Sequence, residues 1–539
     1  MKKRFFSIVA LMLVAVMLAA CGGGGNNGGN EGNNGGNGNV GTTDVDTPEG
    51  NGGAAEGTTA SAENDHLIVV VAGLPVSLDP HESNDMQTAY LAHQMYDTLV
   101  RLNPEDLSIE PRLAASWELS EDSQSLDMQL RDDVYFHNGD RLTADDVRFS
   151  LLRAQNSPHV GFIVGMIDDI IVHDDLNFTI TLTDPFVPFL SHLAHFGVSI
   201  LNEQVVTELG DEYVNYPVGT GPFQFESIAL GDRVELTRFD DYWGQMPVFS
   251  RLTWRAMPEA TNRLIEVETG NAHIALVINP SDIARAETSD SLVLHRRQNL
   301  QAIYLGFQTQ KEPFDDIRVR HAINYALDIE IISQVVYEGS GTPSTGPITG
   351  VVWGAYPMEL FPHDVERARE LMAEAGLEDG FSTTLWFNTE DQQYAQMATL
   401  IQNQLREIDI DVTIESYEWS VYLERTTAGE HEMFILSWIT VTGDADYGLF
   451  DTAHSSGFGS GNRTFWGSPE IDAILEEARA NPDPARRLEL YTEAQQLIHE
   501  GSARVYIHHG EELHVSTPNL NGLIISPSGL HDLWRVYFD

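Results

Sequence analysis

The chain has 539 residues, with 30 basic against 81 acidic side chains and a formal net charge of −51. So acidic a protein repels nucleic acid and anionic lipid surfaces, which excludes both as partners. Hydrophobic residues make up 42%, enough for a large core and two to four domains, while a single cysteine rules out an intramolecular disulfide, a CxxC redox pair and a cysteine-based zinc finger.

The first predicted element spans residues 1–20. Lys2, Lys3 and Arg4 precede an apolar stretch from Phe5 to Leu18, too short for a membrane span of ~20 residues. Leu18-Ala19-Ala20-Cys21 then resembles a bacterial lipobox. The expectation is a cleaved signal peptide and a lipid on Cys21, placing the protein on the outer face of the cytoplasmic membrane. Cleavage leaves 27 basic against 81 acidic residues, a net charge of −54. No later run is apolar enough to cross a membrane, so the lipid is the expected anchor, and stable attachment needs more than one acyl chain. Residues 21–64 are Gly- and Asn-rich and read as a flexible spacer.

Beyond the spacer, the only lysine is Lys311 against twenty-six arginines. It stands in Lys311-Glu312-Pro313, so no GK[ST] phosphate loop exists. An acidic surface with arginine as its cation suits an alkaline or saline exterior, with genomic base composition as the alternative.

Order is expected from Leu67, where a β-branched run to Gly73 reads as a buried strand. Leu126, Met128 and Leu130 alternate with polar residues, as do Val134 and Phe136, predicting half-buried strands; residues 178–183 predict another. Thr143 caps a helix through Phe149, Leu151 and Leu152. Asp364 caps a second helix whose apolar face is Val365, Ala368, Leu371, Met372 and Ala375, with Gly376 after its end. Residues 392–408 read as a helix, 410–414 and 433–438 as strands, and Asp483-Pro484 opens a long helix closing at Gly501. Helices between strands predict an α/β fold.

Three stretches carry more than pattern. They are residues 122–147, containing Leu130-Arg-Asp-Asp-Val134; Pro217-Val-Gly-Thr-Gly-Pro-Phe223 with Arg238-Phe-Asp-Asp-Tyr-Trp-Gly244; and Tyr304-Leu-Gly-Phe307 through Pro313 to Leu327. In this order they are similar to the family 5 solute-binding proteins of peptide, dipeptide, glutathione and nickel ABC importers, over about residues 67–538. Gly380–Trp386 and Gly443–Asp446 look most like the glutathione and short-peptide binders. The resemblance implies a two-lobed periplasmic-binding-protein-like α/β fold with the ligand in a cleft between lobes. Lobe I would comprise 65–297 and 511–539, with an inserted subdomain near 100–210, and lobe II 298–510, with crossings near 298–303 and 510–514. It implies a monomeric, non-enzymatic protein that hands short peptides to a permease driven by a separate ATPase, with no cofactor.

A peptide offers a cationic amine, an anionic carboxylate and strand-like backbone groups. In peptide binders of this family an Asp shortly after a Trp in the second lobe pairs with the amine. Here the segment is Ser437–Tyr447, and that Asp falls on Val441. Trp438 and Thr440 stand on the same segment. Asp444 and Asp446 match acidic positions further on; either one takes the amine, or both merely cap a loop. Val441 points towards a glutathione-like or modified peptide. Asn388 stands near the position where some dipeptide binders place an Arg for the carboxylate. Arg425 and Arg463 are alternatives, each also readable as a surface ion pair worth ~0–1 kcal/mol. Trp386, Trp419 and Trp438 are candidate walls of apolar pockets, with a core role as the alternative, and Thr220-Gly221-Pro222 is expected to shape the cleft.

His192, His195, His508, His509 and His514 lack HExxH or compact ligand spacing, so no metal site is expected. A nickel-chelate or oligosaccharide binder of the same fold is the second reading. An extracellular glycosidase is the remote one, since 81 acids guarantee chance carboxylate pairs and no GxSxG elbow is present.

Overall fold

The computed structural model describes residues 65–539 apart from Leu360 and Glu390. The expected signal peptide, Cys21 and the spacer to residue 64 lie outside the described residues. The described residues belong to one compact unit.

β1 (His66–Val71) is the apolar run predicted from Leu67, with Val69, Val70 and Val71 all buried. A hairpin of β2 (Val100–Leu102) and β3 (Ile109–Pro111) follows. β4 (Ala114–Leu119), β5 (Ser125–Leu130), β6 (Ile167–Val172) and β7 (Asn177–Leu182) make an antiparallel sheet in the order β4-β5-β7-β6. The predicted alternation holds in β5, where Leu126, Met128 and Leu130 are buried between more exposed neighbours.

The strands of the main sheet that follow are β8 (Phe223–Ala229), β9 (Arg233–Arg238), β10 (Arg251–Ala256), β11 (Ile274–Ala275), β12 (Val293–Phe307) and β13 (Thr342–Pro343). After them come β14 (Phe381–Asn388), β15 (Ile410–Tyr417), β16 (Met433–Ile439) and β17 (Arg504–Ser516). With β1 they form an 11-stranded sheet in the order β15-β14-β16-β12-β17-β11-β1-β10-β9-β8, with β13 on β17.

Local chemistry sets the helix ends. Asp146 accepts from both the N–H and the hydroxyl of Thr143 (3.0 and 2.8 Å) at the start of Ala144–Gln155. Asp364 accepts from Arg367 N at the start of Val365–Glu374, and Gly376 takes φ +76° just beyond its end. Asp483 caps Pro484–Gly501. The helix predicted over 392–408 is α-helical for Gln392–Leu405 and tightens to a 3₁₀ turn over Arg406–Ile408. One expectation needs correcting. Val134 and Phe136 are buried, but they are not in a strand: the chain reverses at Asn138-Gly139, Phe136 N bonds Asp140 O at 2.8 Å, and a single bridge joins Tyr135 to Arg141. The turn consumes the backbone groups that a strand would need.

The core is divided, which makes the α/β architecture two-lobed. One cluster fills the β4–β7 region (Leu126, Phe136, Phe178), and another joins β1 and β10 to the C-terminal segment (Leu67, Trp254, Trp534). Two more lie within residues 300–507 but for Leu107, around Leu305 with Ile435 and around Tyr304 with Tyr491. β12 and β17 run between these regions. Their pairing breaks midway: Gln298 faces Glu511 and Ala302 faces His509, leaving Asn299, Leu300 and Gln301 opposite Gly510 alone. Such a bulge removes ladder bonds and lets the pair bend. The regions also touch across the gap, where Val187 N donates to Arg479 O (2.9 Å) and Leu107 joins the cluster of Ile348 and Leu449.

Candidate functional site

A cavity of about 410 Å³ opens where the two regions face each other. Its first wall comes from the segment after helix Met86–Met95 and from the C-terminal segment. Asp97 is 2% exposed and accepts three bonds, from Arg112 Nε (2.6 Å), Thr220 Oγ1 (3.0 Å) and Trp243 Nε1 (3.1 Å). Arg112 lies 5.1 Å from the Trp243 ring centre and 4.8 Å from that of Trp534. Burial opposes its charge, but Asp97, Tyr242 and Asp532 together outweigh that and keep it a firm cation.

Arg101 gives Nε and Nη2 to Glu110 (2.9 and 2.7 Å) and Nη1 to Asp532 (3.0 Å). Asp532 also meets His93 (3.1 Å) and Arg535 (2.9 Å). Burial alone would raise its carboxyl, yet His93, Arg101 and Arg535 pull it down to about 2.

The Thr220-Gly221 turn holds this wall from behind. Gly221 N donates to Met95 O at 2.9 Å, and a Cβ on Gly221 would lie 2.5 Å from the Met95 carbonyl carbon. Only glycine permits that approach, and it is what places the Thr220 hydroxyl on Asp97.

The opposite wall is aromatic and apolar. Trp419, Trp438, Ile439, Val441 and Tyr447 line it, with the Trp438 and Tyr447 rings 5.6 Å apart. Trp438 Nε1 is buried and has no hydrogen-bond partner among the described residues. Val441 therefore faces the cavity, while the acids beyond it do not carry this wall. Asp444 caps helix Ala445–Ala453 and receives Arg487 Nη2 at 2.8 and 2.9 Å; burial raises its pKa against the pull of Arg487. Asp446 is 1% exposed and bonds Arg479 at 2.8 Å. Thr440 is buried, its N–H bonding Leu300 O, and lines neither this cavity nor the next.

A second cavity of about 600 Å³ adjoins the first, sharing Trp438 and Tyr447. Phe162, Phe186 and His192 face Asp446, Asp451, Arg463 and Arg479 across it. Burial, reinforced by Asp446 and opposed by Arg479, raises the Asp451 carboxyl to about 7. No hydrogen bond or ion pair holds that carboxylate among the described residues. The Arg463 side chain bonds only the Thr426 hydroxyl (3.2 Å) among the described residues, and burial lowers its pKa.

Other predicted residues lie elsewhere. Trp386 is 4% exposed in the core, with the Arg425 guanidinium 4.3 Å from its ring centre, and Arg425 is paired to Glu430. Asn388 ends β14, half-buried, and lines neither cavity. Sequence reasoning missed Asp97, Arg101, Arg112, Asp451 and Asp532, none of which sits in a local pattern that marks it.

The histidines are taken up by the fold. His508 Nδ1 meets the Ser333 hydroxyl (2.8 Å) under the Tyr337 ring, and His509 Nε2 meets Ser344 (3.0 Å). Glu512, His514 and His531 bring three ligand-type atoms within 4.8 Å of one another. Both rings, however, accept a backbone N–H at Nδ1, from Val277 (2.9 Å) and Ser526 (3.2 Å). The His514 Nε2 atom in turn lies 3.0 Å from Glu512 Oε2 and 3.0 Å from His531 Nε2, so these rings and the carboxylate form one buried polar cluster.

The profile of the bacterial extracellular solute-binding proteins, family 5 Middle, matches residues 108–460. Heme-binding protein A of Haemophilus influenzae is 30% identical over 522 residues, spanning 91% of this chain and 95% of that protein. The dipeptide-binding protein of Escherichia coli is 30% identical over 511 residues, spanning 88% and 95%. A solved structure of the dipeptide binding protein of Pseudoalteromonas sp. SM9913, in complex with Met-Leu, is similar with a TM-score of 0.76 at 27% identity, covering 88% of this chain and 100% of that one.

Proposed function

The chain belongs to the bacterial extracellular solute-binding proteins of family 5, and from that premise we propose that it captures short peptides and delivers them to the permease of an ABC importer. It is a binding protein and not an enzyme. The observation that carries the peptide reading is the cavity of about 410 Å³ between the two regions, with a charged wall facing an aromatic one. A short peptide matches that division, since its charged ends need fixed partners and its side chains need apolar surface. The relatives named for dipeptide binding support the same class.

We draw lobe I as residues 65–297 with 511–539, including an inserted subdomain near 100–210, and lobe II as 298–510. The broken register of β12 and β17 at Asn299–Gln301 supports a hinge there. Closure about it would enclose the ligand and present a shape that the permease reads. The protein acts as a monomer, and it is held by a lipid on Cys21, which Leu18-Ala19-Ala20-Cys21 supports.

Thermal-shift screening of the mature protein tests the ligand class. Dipeptides or glutathione are expected to raise the melting temperature. A shift with heme, nickel plus histidine or an oligosaccharide, and with no peptide, removes the peptide reading. Mass spectrometry of ligand released from the purified protein then identifies the cargo. For the anchor, Cys21→Ala is expected to move the protein from the membrane fraction to the soluble one, and a variant still in the membrane fraction removes the lipid reading.

A further inference from the structure

The acids on the first cavity are already committed. Asp85 caps helix Met86–Met95 through Thr88 N and Oγ1 (3.0 and 2.6 Å). Asp97 carries three donors and Asp532 carries His93, Arg101 and Arg535. Among its cations, Arg101 has spent Nε, Nη1 and Nη2 on Glu110 and Asp532. Arg112 differs: only Nε is used, on Asp97, and neither Nη1 nor Nη2 has an acceptor among the described residues. They are not sealed in the interior either, because Arg112 lines the cavity.

Four unspent N–H groups on a guanidinium whose side chain is 9% exposed are a costly arrangement unless something accepts them. The group is also rigid, gripped by Asp97 at one edge and by the Trp243 and Trp534 rings. A fixed fork of two terminal nitrogens matches the two oxygens of a carboxylate in a bidentate pair.

Resting on the peptide reading above, we propose that Arg112 is the anchor for the ligand's carboxylate, held through Nη1 and Nη2, so that the cargo is a peptide with a free carboxylate end. The aromatic wall of Trp438, Val441 and Tyr447 then takes the rest of the molecule. This puts the anion anchor on the lobe I side, away from Asn388.

Isothermal titration with a dipeptide and its C-terminal amide tests this on the unaltered mature protein. Amidation replaces an anion by a donor facing the guanidinium, and the expected loss is roughly 100-fold or more. In Arg112→Gln the acid and the amide are expected to bind within about 3-fold of each other. Should Arg112→Gln fail to fold, the acid–amide comparison on the unaltered protein decides alone. Equal affinities there overturn the anchor and leave the peptide reading standing. If neither form binds, the peptide reading falls instead, and N-acyl amino acids are compared with their methyl esters by thermal shift. An acid-only shift supports the anchor, and no acid-only shift overturns it.

Discussion

The two adjoining cavities share Trp438 and Tyr447 yet differ in which charged groups they leave unpaired. Around the first, every carboxylate is held by internal donors and a cation, Arg112, keeps its terminal nitrogens free. Around the second, the Asp446–Arg479 pair is closed, Arg463 has only the Thr426 hydroxyl, and an acid, Asp451, has no partner among the described residues and a pKa pushed to about 7. Counting charged residues would rate both walls as mixed. What distinguishes them is which group is left over once internal pairs are made, because only an unspent donor or acceptor can be offered to a ligand.

The contrast can be broken most severely at Asp97. Asp97→Asn keeps hydrogen-bonding capacity towards Thr220 and Trp243 but leaves a buried guanidinium uncompensated, and is expected to cost about 3–5 kcal/mol in denaturant unfolding. A loss below about 1 kcal/mol would mean that Arg112 is stabilised by its aromatic neighbours and not by this pair.

At the second cavity the expected effect is a gain, and it depends on pH. Asp451 holds its proton more tightly folded than unfolded, so its contribution is most favourable below about pH 4 and is lost as pH rises towards about 7. Asp451→Asn removes that loss. Melting curves are expected to show the variant more stable by about 2–4 kcal/mol at pH 8 and unchanged near pH 4. A variant equally stable at both pH values would show that Arg479 compensates Asp451 fully.

The smallest effect sharpens the first wall alone. Thr220→Val keeps the shape of the turn and deletes one of three donors to Asp97, with an expected loss of about 1 kcal/mol. Ligand affinity should fall little if Thr220 acts only behind the wall, and a fall of tenfold or more would place it in direct contact with ligand.

Where an element depends on residues within one turn of each other, reading the sequence worked. Asp364, Asp483 and Gly376 stand where caps were expected, and β5 keeps its predicted alternation. Val134 and Phe136 misled because burial at every second residue is shared by strands and by tight turns whose side chains point inwards. Trp438 and Val441 were found through the family pattern, and both line the cavity. Asp444 came from the same pattern, yet its Arg487 partner lies 43 residues away, so nothing local showed that it was already paired.

By itself the sequence determined the family, through the resemblance of its three motif stretches, and also the α/β order of elements and their caps, since these last rest on periodicity and on contacts between near neighbours. Tertiary structure alone decided which charges remain for a ligand. Arg101 meets Asp532 across 431 residues and Thr220 meets Asp97 across 123. Whether Arg112 is spent or free is a property of the completed set of pairs, and that set exists only once the chain has brought its distant segments together.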